Sequence, residues 1–233
     1  MERIAICITT RNRPEILRKA ILNWFKFQPA NSDVFIVDDS STIKHDDISF
    51  SFQFESQVGI ARAKNKCLEL AKYYDHIFLA DDDVWPKVKG WEKPYLESGL
   101  NHLALTFEKN SQGIFYSPSV RQEGSWNGFK TYTKPNGCFL YLTKEVLNTV
   151  GGMRPEFGLW GYEHVEYSQR IFNAGLTPHP FIDLHNSLDL IHVCDYFGEV
   201  KSCLTATKKM KGIGFKAKLL DKYKNSSDYV GFK

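Results

Sequence analysis

The segment HIFLADDDVWP, residues 76–86, places three adjacent aspartates directly after an apolar run. The apolar half is typical of a buried β-strand, and the carboxylates follow where that strand ends. Adjacent carboxylates repel one another, and the sequence offers no obvious Lys or Arg as a counter-charge. A solvated acidic turn is the common alternative for such a triplet, but its position after a buried strand favours a bound divalent cation. We therefore expect a cation at Asp81, Asp82 and Asp83.

The residues before this segment alternate between strand and helix patterns. Apolar runs at residues 3–9 and 34–37 predict two further buried strands, and apolar residues at helical spacing predict helices that begin at Pro14 and Val58. This order predicts an α/β fold with a mostly parallel, doubly wound sheet flanked by helices. In such a sheet the polar residues that follow the strands meet at one edge. They are Thr9 to Asn12, Asp38 with Asp39, and the three aspartates.

The second half has a less regular pattern. We expect strands near residues 103–107, 114–116 and 138–142, and helices over residues 144–150 and 163–174. Residues 201–233 hold nine lysines and two aspartates, a net charge of +7, which leaves −4 for residues 1–200. We therefore expect a domain over residues 1–200, with halves at 1–100 and 101–200, followed by a basic helical C-terminal extension.

The composition excludes several classes of protein. With 42% hydrophobic residues, the 233-residue chain can bury one substantial core. Its five cysteines are scattered through apolar runs without a CxxC pair, so we expect reduced core residues rather than disulfides or a zinc site. No membrane-spanning run and no signal-peptide pattern is present, which predicts a soluble cytoplasmic protein.

Three groups of residues carry chemistry besides the aspartates. Asp38 and Asp39 are placed to accept hydrogen bonds from a nucleoside, although Asp39 could instead cap the Ser-rich turn. Arg62 lies near the start of a predicted helix, where a phosphate can bind, and a solvent-facing side chain is equally compatible. The third group, after a Gly-rich aromatic loop, consists of Trp160, Gly161, Tyr162, Glu163, His164 and Glu166. Acids that begin an ordinary helix are the alternative there.

Together these motifs resemble the GT-A glycosyltransferases of family 2 and their galactosyltransferase and chondroitin-polymerase-like relatives. The similarity covers residues 3–175 and includes ITTRNRP at 8–14, VDDSS at 37–41, VGIARAKN at 58–65, LADDD at 79–83 and GGMRPEF with WGYE at 151–163. It implies a nucleotide-sugar donor, a cation (Mn²⁺ or Mg²⁺) on Asp82 and Asp83, and an acceptor held by Trp160, Gly161, Tyr162 and Glu166. The donor-binding residues that it implies are Thr9, Arg11, Asp38, Asp39, Arg62, Asn65 and Asp81.

The sequence departs from the family pattern at two places. Ala80 stands where the metal motif often has its first Asp, so the principal metal ligand among the aspartates stays open. The family's Glu-Asp pair reads Glu163-His164 here. The catalytic base is His164 or Glu163, or the reaction uses no base from this loop, and we favour Glu163 and His164 together. A further metal ligand in some relatives is a His from the C-terminal half. His192 is the candidate, with His179 and His185 as competitors.

The resemblance implies an inverting, metal-dependent transfer of a sugar, most readily from a UDP-sugar, to a hydroxyl group of a glycan or a lipid-linked acceptor. The basic residues 201–233 fit contact with an anionic membrane or with nucleic acid, so glycosylation of a modified base in DNA is an alternative. A nucleotidylyltransferase would need a Gly-rich basic loop after the first strand, which is missing. A non-catalytic sugar- or nucleic-acid-binding module is the alternative from another class.

Overall fold

The computed structural model describes residues 2–45, 47–200 and 212–232. Its first part confirms the predicted alternation of strands and helices. The elements are β1 (Ile4–Thr10), α1 (Pro14–Lys26), β2 (Ser32–Asp38), β3 (Phe52–Gln53), α2 (Ile60–Ala71) and β4 (His76–Asp81). Pro14 begins α1, at a position where its missing N–H costs no helical hydrogen bond.

The remaining elements are shorter and less regular. They are β5 (Val84–Pro86), α3 (Lys93–Leu96), β6 (His102–Ala104), β7 (Gln122–Trp126), β8 (Phe129–Tyr132), β9 (Phe139–Thr143), α4 (Lys144–Thr149), a 3₁₀ turn (Pro155–Phe157), α5 (Glu163–Asn173), β10 (Ile182–Asp183), α6 (Ser187–Leu190), β11 (Ile191–Val193), α7 (Cys194–Phe197) and α8 (Ile213–Tyr223). The predicted helices at 144–150 and 163–174 are thus confirmed as α4 and α5.

The main sheet has the strand order β3-β2-β1-β4-β9-β6. β1 is parallel to β2 and β4, whereas β9 is antiparallel to β4 and β6. The register sets Thr10 beside Asp38 and Thr9 beside Asp81. The predicted strand ends therefore do meet at one edge of a mostly parallel sheet.

Each face of the main sheet is covered by its own apolar layer. Alternate β1 side chains, such as Ile6 and Cys7, enter opposite layers. Trp24 of α1 lies in the first layer and its indole N–H donates to the carbonyl oxygen of Val84 over 2.9 Å. Leu68 of α2 lies in the second layer. The two apolar clusters thus support the sheet from both faces, below the polar edge.

The predicted strand at residues 114–116 was wrong. Ile114, Phe115 and Tyr116 are exposed, and only an isolated bridge joins Phe115 to Lys109. The hairpin of β7 and β8 was not predicted, because the β7 residues are all exposed and show no apolar alternation. Its turn, Asn127-Gly128, has positive φ at both residues, which is the signature of a tight hairpin.

The C-terminal residues lie against the second half of the domain. Helix α8 confirms a helical extension, while residues 201–211, which carry much of its charge, lie outside the described residues. After α8 the chain runs beside Gly151 and Gly152, where the Gly152 amide donates to the Val230 carbonyl over 2.7 Å. A side chain at Gly151 would overlap that carbonyl oxygen. The boundary at residue 200 stays a prediction.

One further property concerns membranes. Within the described ranges, no helix combines the length and the apolar character that crossing a bilayer requires.

Candidate active site

The aspartates at the end of β4 have counter-charges, contrary to the expectation from sequence. Arg13 makes ion pairs with Asp82 and, over 2.8 Å, with Asp83. The Thr10 hydroxyl also donates to Asp82 over 2.7 Å. Burial raises the pKa of Asp82 to about 7, although Arg13 opposes the rise. The correction follows from the fold, since β1 and β4 are neighbours in the sheet and distant in the chain.

Asp81 faces Lys64, a lysine of helix α2. Lys64 is only 1% exposed, and its ammonium lies 3.1 Å from Oδ1 of Asp81 and donates to the Gly137 carbonyl over 2.8 Å. Burial alone would lower the pKa of Lys64, but the charges of Asp81 and Glu163 raise it above its usual value. Lys64 is therefore a fully charged, buried cation between the strand-end edge and helix α5.

The carboxylates of Asp38 and Asp39 accept hydrogen bonds from neighbouring loops. Asp38 accepts hydrogen bonds from Ser41 and from Gln53, and it is fully buried. Asp39 accepts the amides of Val58 and Gly59, over 2.6 and 3.0 Å, directly before α2. Each carboxylate thus fixes a backbone turn near the carboxyl ends of β1 and β2.

The other predicted donor-binding residues differ in their surroundings. Arg11 donates to the Asp39 carbonyl over 3.0 Å and stays partly exposed, while Arg62 is exposed in the first turn of α2. Thr9 is buried at the end of β1. Asn65 is fully buried and both ends of its amide bond the backbone of Met153, over 2.7 and 2.8 Å. Each end of the amide thus makes one hydrogen bond to the backbone, and the role of Asn65 in donor binding stays a prediction.

Helix α5 begins with an unusual backbone that turns Glu163 inward. Tyr162, the residue before the helix, has φ of +73°, which L residues rarely adopt, and it follows Gly161 with φ of +89°. Such strained positions cluster at functional sites. Glu163 is 3% exposed, and its Oε2 accepts no hydrogen bond from the described residues.

Glu163 and His164 form a hydrogen-bonded pair. Oε1 of Glu163 lies 3.0 Å from Nδ1 of His164. Burial would raise the pKa of Glu163, but the His164 contact and the charge of Lys64 outweigh it and lower the pKa to about 2. Glu163 is therefore ionised at neutral pH and fixes the orientation of the imidazole.

The imidazole of His164 lies directly against the backbone of Gly137. A Cβ at Gly137 would come within 2.6 Å of Nδ1 of His164, and Gly137 has φ of +82°. The absence of a side chain at this position therefore makes the room in which the imidazole sits.

We expect Gly137→Ala to lower kcat about 10²-fold, because the added methyl displaces His164 from Glu163. Steady-state kinetics would measure this loss. Gly128→Ala is the matched control, since Gly128 has a similar φ of +86° and no atom near the added methyl. Equal kcat in the two variants would show that the position of His164 does not matter.

Glu166 has a structural environment, which corrects its predicted role in acceptor binding. It is 2% exposed, and Oε1 accepts hydrogen bonds from Arg154 and from Arg170, both over 2.9 Å. Arg154 in turn pairs with Asp228 of the C-terminal segment. Two guanidinium groups thus share Oε1 of this carboxylate, which argues against a role in holding a sugar hydroxyl.

The loop before α5 is exposed at the mouth of the site. Trp160 is 38% exposed, and the ammonium of Lys216, from α8, lies over its ring at 5.5 Å from the centroid. The loop also contacts α2, because a Cβ at Gly59 would lie 2.6 Å from the Gly158 carbonyl. The two halves of the chain thus meet at this loop.

His192 lies on β11, paired with Trp85 of β5. Its Nε2 is 2.9 Å from Oε2 of Glu199, so the contact shown is with Glu199 rather than with Asp82 or Asp83. His179 lies 3.6 Å from Glu123, at the β7–β8 hairpin, and His185 is exposed. The cation-binding role of His192 stays a prediction.

Comparison with known proteins was made against families and against single structures. Residues 5–95 match the family described as glycosyl transferase family 2, and residues 120–192 match the N-terminal domain of galactosyltransferase. An uncharacterised glycosyltransferase of Acanthamoeba polyphaga mimivirus is 29% identical over 192 residues, which are 77% of this chain and 73% of the viral protein.

Two solved structures show the same fold at low identity. The mannosyltransferase PcManGT of Pyrobaculum calidifontis, in complex with GDP-Man and Mn²⁺, is 15% identical with a TM-score of 0.56, and the match covers 76% of this chain and 55% of that one. GalNAc-T7, with UDP, GalNAc and Mn²⁺, is 13% identical with a TM-score of 0.61, over 79% of this chain and 42% of that one. The chain thus spans about half the length of these structures.

The family 2 match covers the strand-end edge, and the galactosyltransferase match covers the loop with Glu163. The two family matches and the shared fold identify the chain as a glycosyltransferase of the GT-A type that is similar to family 2.

Proposed function

We propose that the chain transfers a sugar from a nucleoside-diphosphate donor, with a UDP-sugar as the first candidate, to a hydroxyl group of a glycan or a glycolipid. The observation that supports this most is the position of Lys64. Its ammonium contacts Asp81 at the strand-end edge over 3.1 Å, and its charge acts on Glu163 of the acceptor loop. The residues proposed for the donor side and for the acceptor side thus lie around one buried cation, which supports binding of the two substrates close together, as a transfer between them requires.

The donor would lie along the edge formed by β1, β2 and β4. Asp38 and Asp39 shape the turns around this edge, and the first turn of α2 presents Arg62 to solvent. A helix N-terminus and a guanidinium favour phosphate oxygens. Arg11, beside Asp39, would add positive charge at the same edge.

The three carboxylates at the end of β4 fit a hard divalent cation, Mn²⁺ or Mg²⁺. Oδ1 of Asp81 is buried and lies 3.1 Å from the ammonium of Lys64. Asp82 and Asp83 are the proposed ligands, and Arg13 must release one of them when a cation binds. Such a cation would neutralise the charge that develops on the departing diphosphate.

The acceptor side uses the Glu163-His164 pair. In a neutral His164 whose Nδ1–H donates to Oε1 of Glu163, Nε2 is the free proton acceptor, so we assign proton acceptance to Nε2 of His164 and orientation of the ring to Glu163. As the acceptor oxygen bonds to the anomeric carbon, its proton passes to His164 and the diphosphate leaves with the bonding electrons. Attack opposite the leaving group inverts the anomeric configuration.

The donor-binding proposal is tested by hydrolysis and transfer assays with UDP-, GDP-, CDP- and dTDP-sugars, with and without Mn²⁺. We expect one donor class to be turned over only with the cation, and NMR of the product to show inversion. Retention of configuration would exclude the direct displacement.

We expect Asp83→Ala to abolish cation-dependent turnover, because it removes a proposed cation ligand. The exposed Asp189→Ala is the control and should keep full activity. Full activity of Asp83→Ala, or of the wild type in excess EDTA, would contradict the cation assignment.

The acceptor class is less constrained. The proposal that a modified base in DNA is the acceptor rests on basic residues of the C-terminal extension. Of these, residues 201–211 lie outside the described residues. The exposed Trp160 beside the Glu163 loop favours a sugar acceptor, since aromatic faces are common platforms for apolar sugar faces.

A further inference from the structure

Two lysines from distant parts of the chain lie over the aromatic rings of the loop before α5. The ammonium of Lys216, on α8, is 5.5 Å from the centroid of the Trp160 ring. The ammonium of Lys134, two residues after β8, is 5.4 Å from the centroid of the Tyr162 ring. A Cβ at Gly161, between the two aromatic residues, would lie 3.7 Å from the Lys216 ammonium. Both cations thus lie against the loop that leads to Glu163.

A small apolar cluster fixes the position of both lysines. Tyr132, two residues before Lys134, is one of its buried members, and Tyr162 and Leu220 pack against it. Residues four apart on a helix share a face, so Lys216 lies on the same face of α8 as Leu220. The fold therefore brings the two ammonium groups to the acceptor loop.

The charge of Lys216 is partly withdrawn from water. Burial lowers the pKa of Lys216, and the charge of Glu163 opposes this shift. Oε1 of Glu163 is hydrogen-bonded to His164, and within the described ranges neither Lys134 nor Lys216 makes an ion pair with a carboxylate. A partly desolvated cation without an ion pair is stabilised by an anion that binds beside it. The mouth of the site is thus suited to a negatively charged group.

We propose that Lys134 and Lys216 bind a carboxylate or phosphate group of the acceptor, so that the acceptor is an acidic glycan rather than a neutral one. An ammonium has three N–H donors, and its contact with a ring leaves donors for an anion. The donor diphosphate does not need these lysines, because guanidinium groups and the proposed cation site lie at the strand-end edge. The inference rests on the proposed function and names the acceptor class for it.

The test is isothermal titration calorimetry of the full-length protein with UDP and Mn²⁺ present, so that the donor phosphate site is filled. The probes are p-nitrophenyl β-D-glucoside, the corresponding glucuronide and the corresponding glucoside 6-phosphate. We expect the glucuronide or the 6-phosphate to bind at least about tenfold more tightly than the neutral glucoside. The tighter of the two identifies the anion. If neither binds more tightly than the glucoside, the proposal is overturned.

Substitutions separate charge recognition from loop packing. Lys216→Gln should weaken binding of the preferred anionic probe about tenfold and leave the neutral glucoside unchanged, whereas Lys216→Arg should keep the preference. Lys218→Gln, at an exposed position of the same helix, is the matched control and should bind like the wild type. The double variant of Lys134→Gln and Lys216→Gln should bind all three probes alike. Equal weakening of all three probes in Lys216→Gln, or an unchanged preference, would overturn the proposal.

Donor turnover distinguishes failure of this inference from failure of the proposed function. Cation-dependent hydrolysis of a nucleotide-sugar together with equal binding of the three probes would overturn the acidic acceptor and keep the transferase. Charge-selective binding that depends on Lys216, without turnover of any donor, would overturn the transferase and keep the anion-binding site.

Discussion

We expect Glu163→Gln to fold normally and to transfer sugar about 10³-fold more slowly than the wild type. The substitution keeps the shape of the side chain but removes the charge that faces His164 and Lys64. Gln can also present its NH₂ group to the imidazole, which would fix the wrong tautomer. Steady-state kcat with the preferred donor, and a urea unfolding curve for the fold, are the measurements.

The hydrogen bond between Glu163 and His164 leads to a second expected result. If Glu163 acts by orienting His164, then His164→Gln alone should cost about as much as Glu163→Gln, and the double variant should cost little more than either. The exposed Glu145→Gln serves as the charge-matched control and should keep wild-type kcat. Multiplicative losses in the double variant would show that the two residues act independently.

The polar edge at the strand ends could be predicted from sequence because each strand and the polar residues after it are continuous in the chain. Buried parallel strands are apolar runs, and whatever polar residue follows each run must emerge at the same edge. Thr9, Asp38 and Asp81 were found in this way, and the register of β1 with β2 and β4 confirms their proximity. Helix α5 could be predicted for the same reason, because its Gly-rich start and its helical spacing are continuous in the chain.

The partners of these residues could not be predicted, because they come from distant parts of the chain. Arg13 reaches Asp82 from 69 residues away, and Lys64 reaches the Gly137 carbonyl from 73. No periodicity distinguishes a lysine that is 1% exposed from one in solvent. The turn that brings Glu199 to His192 depends on the backbone of Gly198, which the sequence pattern does not show.

Glu163 and Glu166 illustrate the limit most clearly. They are three residues apart, both are acidic, and both lie in the first turn of α5. The sequence alone therefore does not show which of them lies in the active site. Glu166, however, is enclosed by Arg154 and Arg170, and Glu163 is beside Lys64 and His164. Tertiary contacts alone separate a structural carboxylate from one in the site.

Glu166→Gln should therefore lower the free energy of unfolding by about 3 kcal/mol, because it leaves two buried guanidinium groups without their shared carboxylate. Arg170 is 0% exposed, and its remaining contacts are backbone carbonyls, including that of Gly152. Arg154 keeps Asp228, so the C-terminal segment should loosen rather than detach. Urea unfolding at neutral pH measures the loss.

The exposed Glu156→Gln is the control for this substitution and should leave the unfolding curve unchanged. Under conditions where Glu166→Gln is folded, its kcat and its KM for the acceptor should stay near those of the wild type, since no part of the carboxylate faces the site. An unchanged unfolding curve together with a raised acceptor KM would instead return Glu166 to the acceptor site that the sequence predicted. The two glutamates thus make different predictions: loss of Glu163 removes activity, whereas loss of Glu166 lowers stability and leaves the activity of the folded protein near that of the wild type.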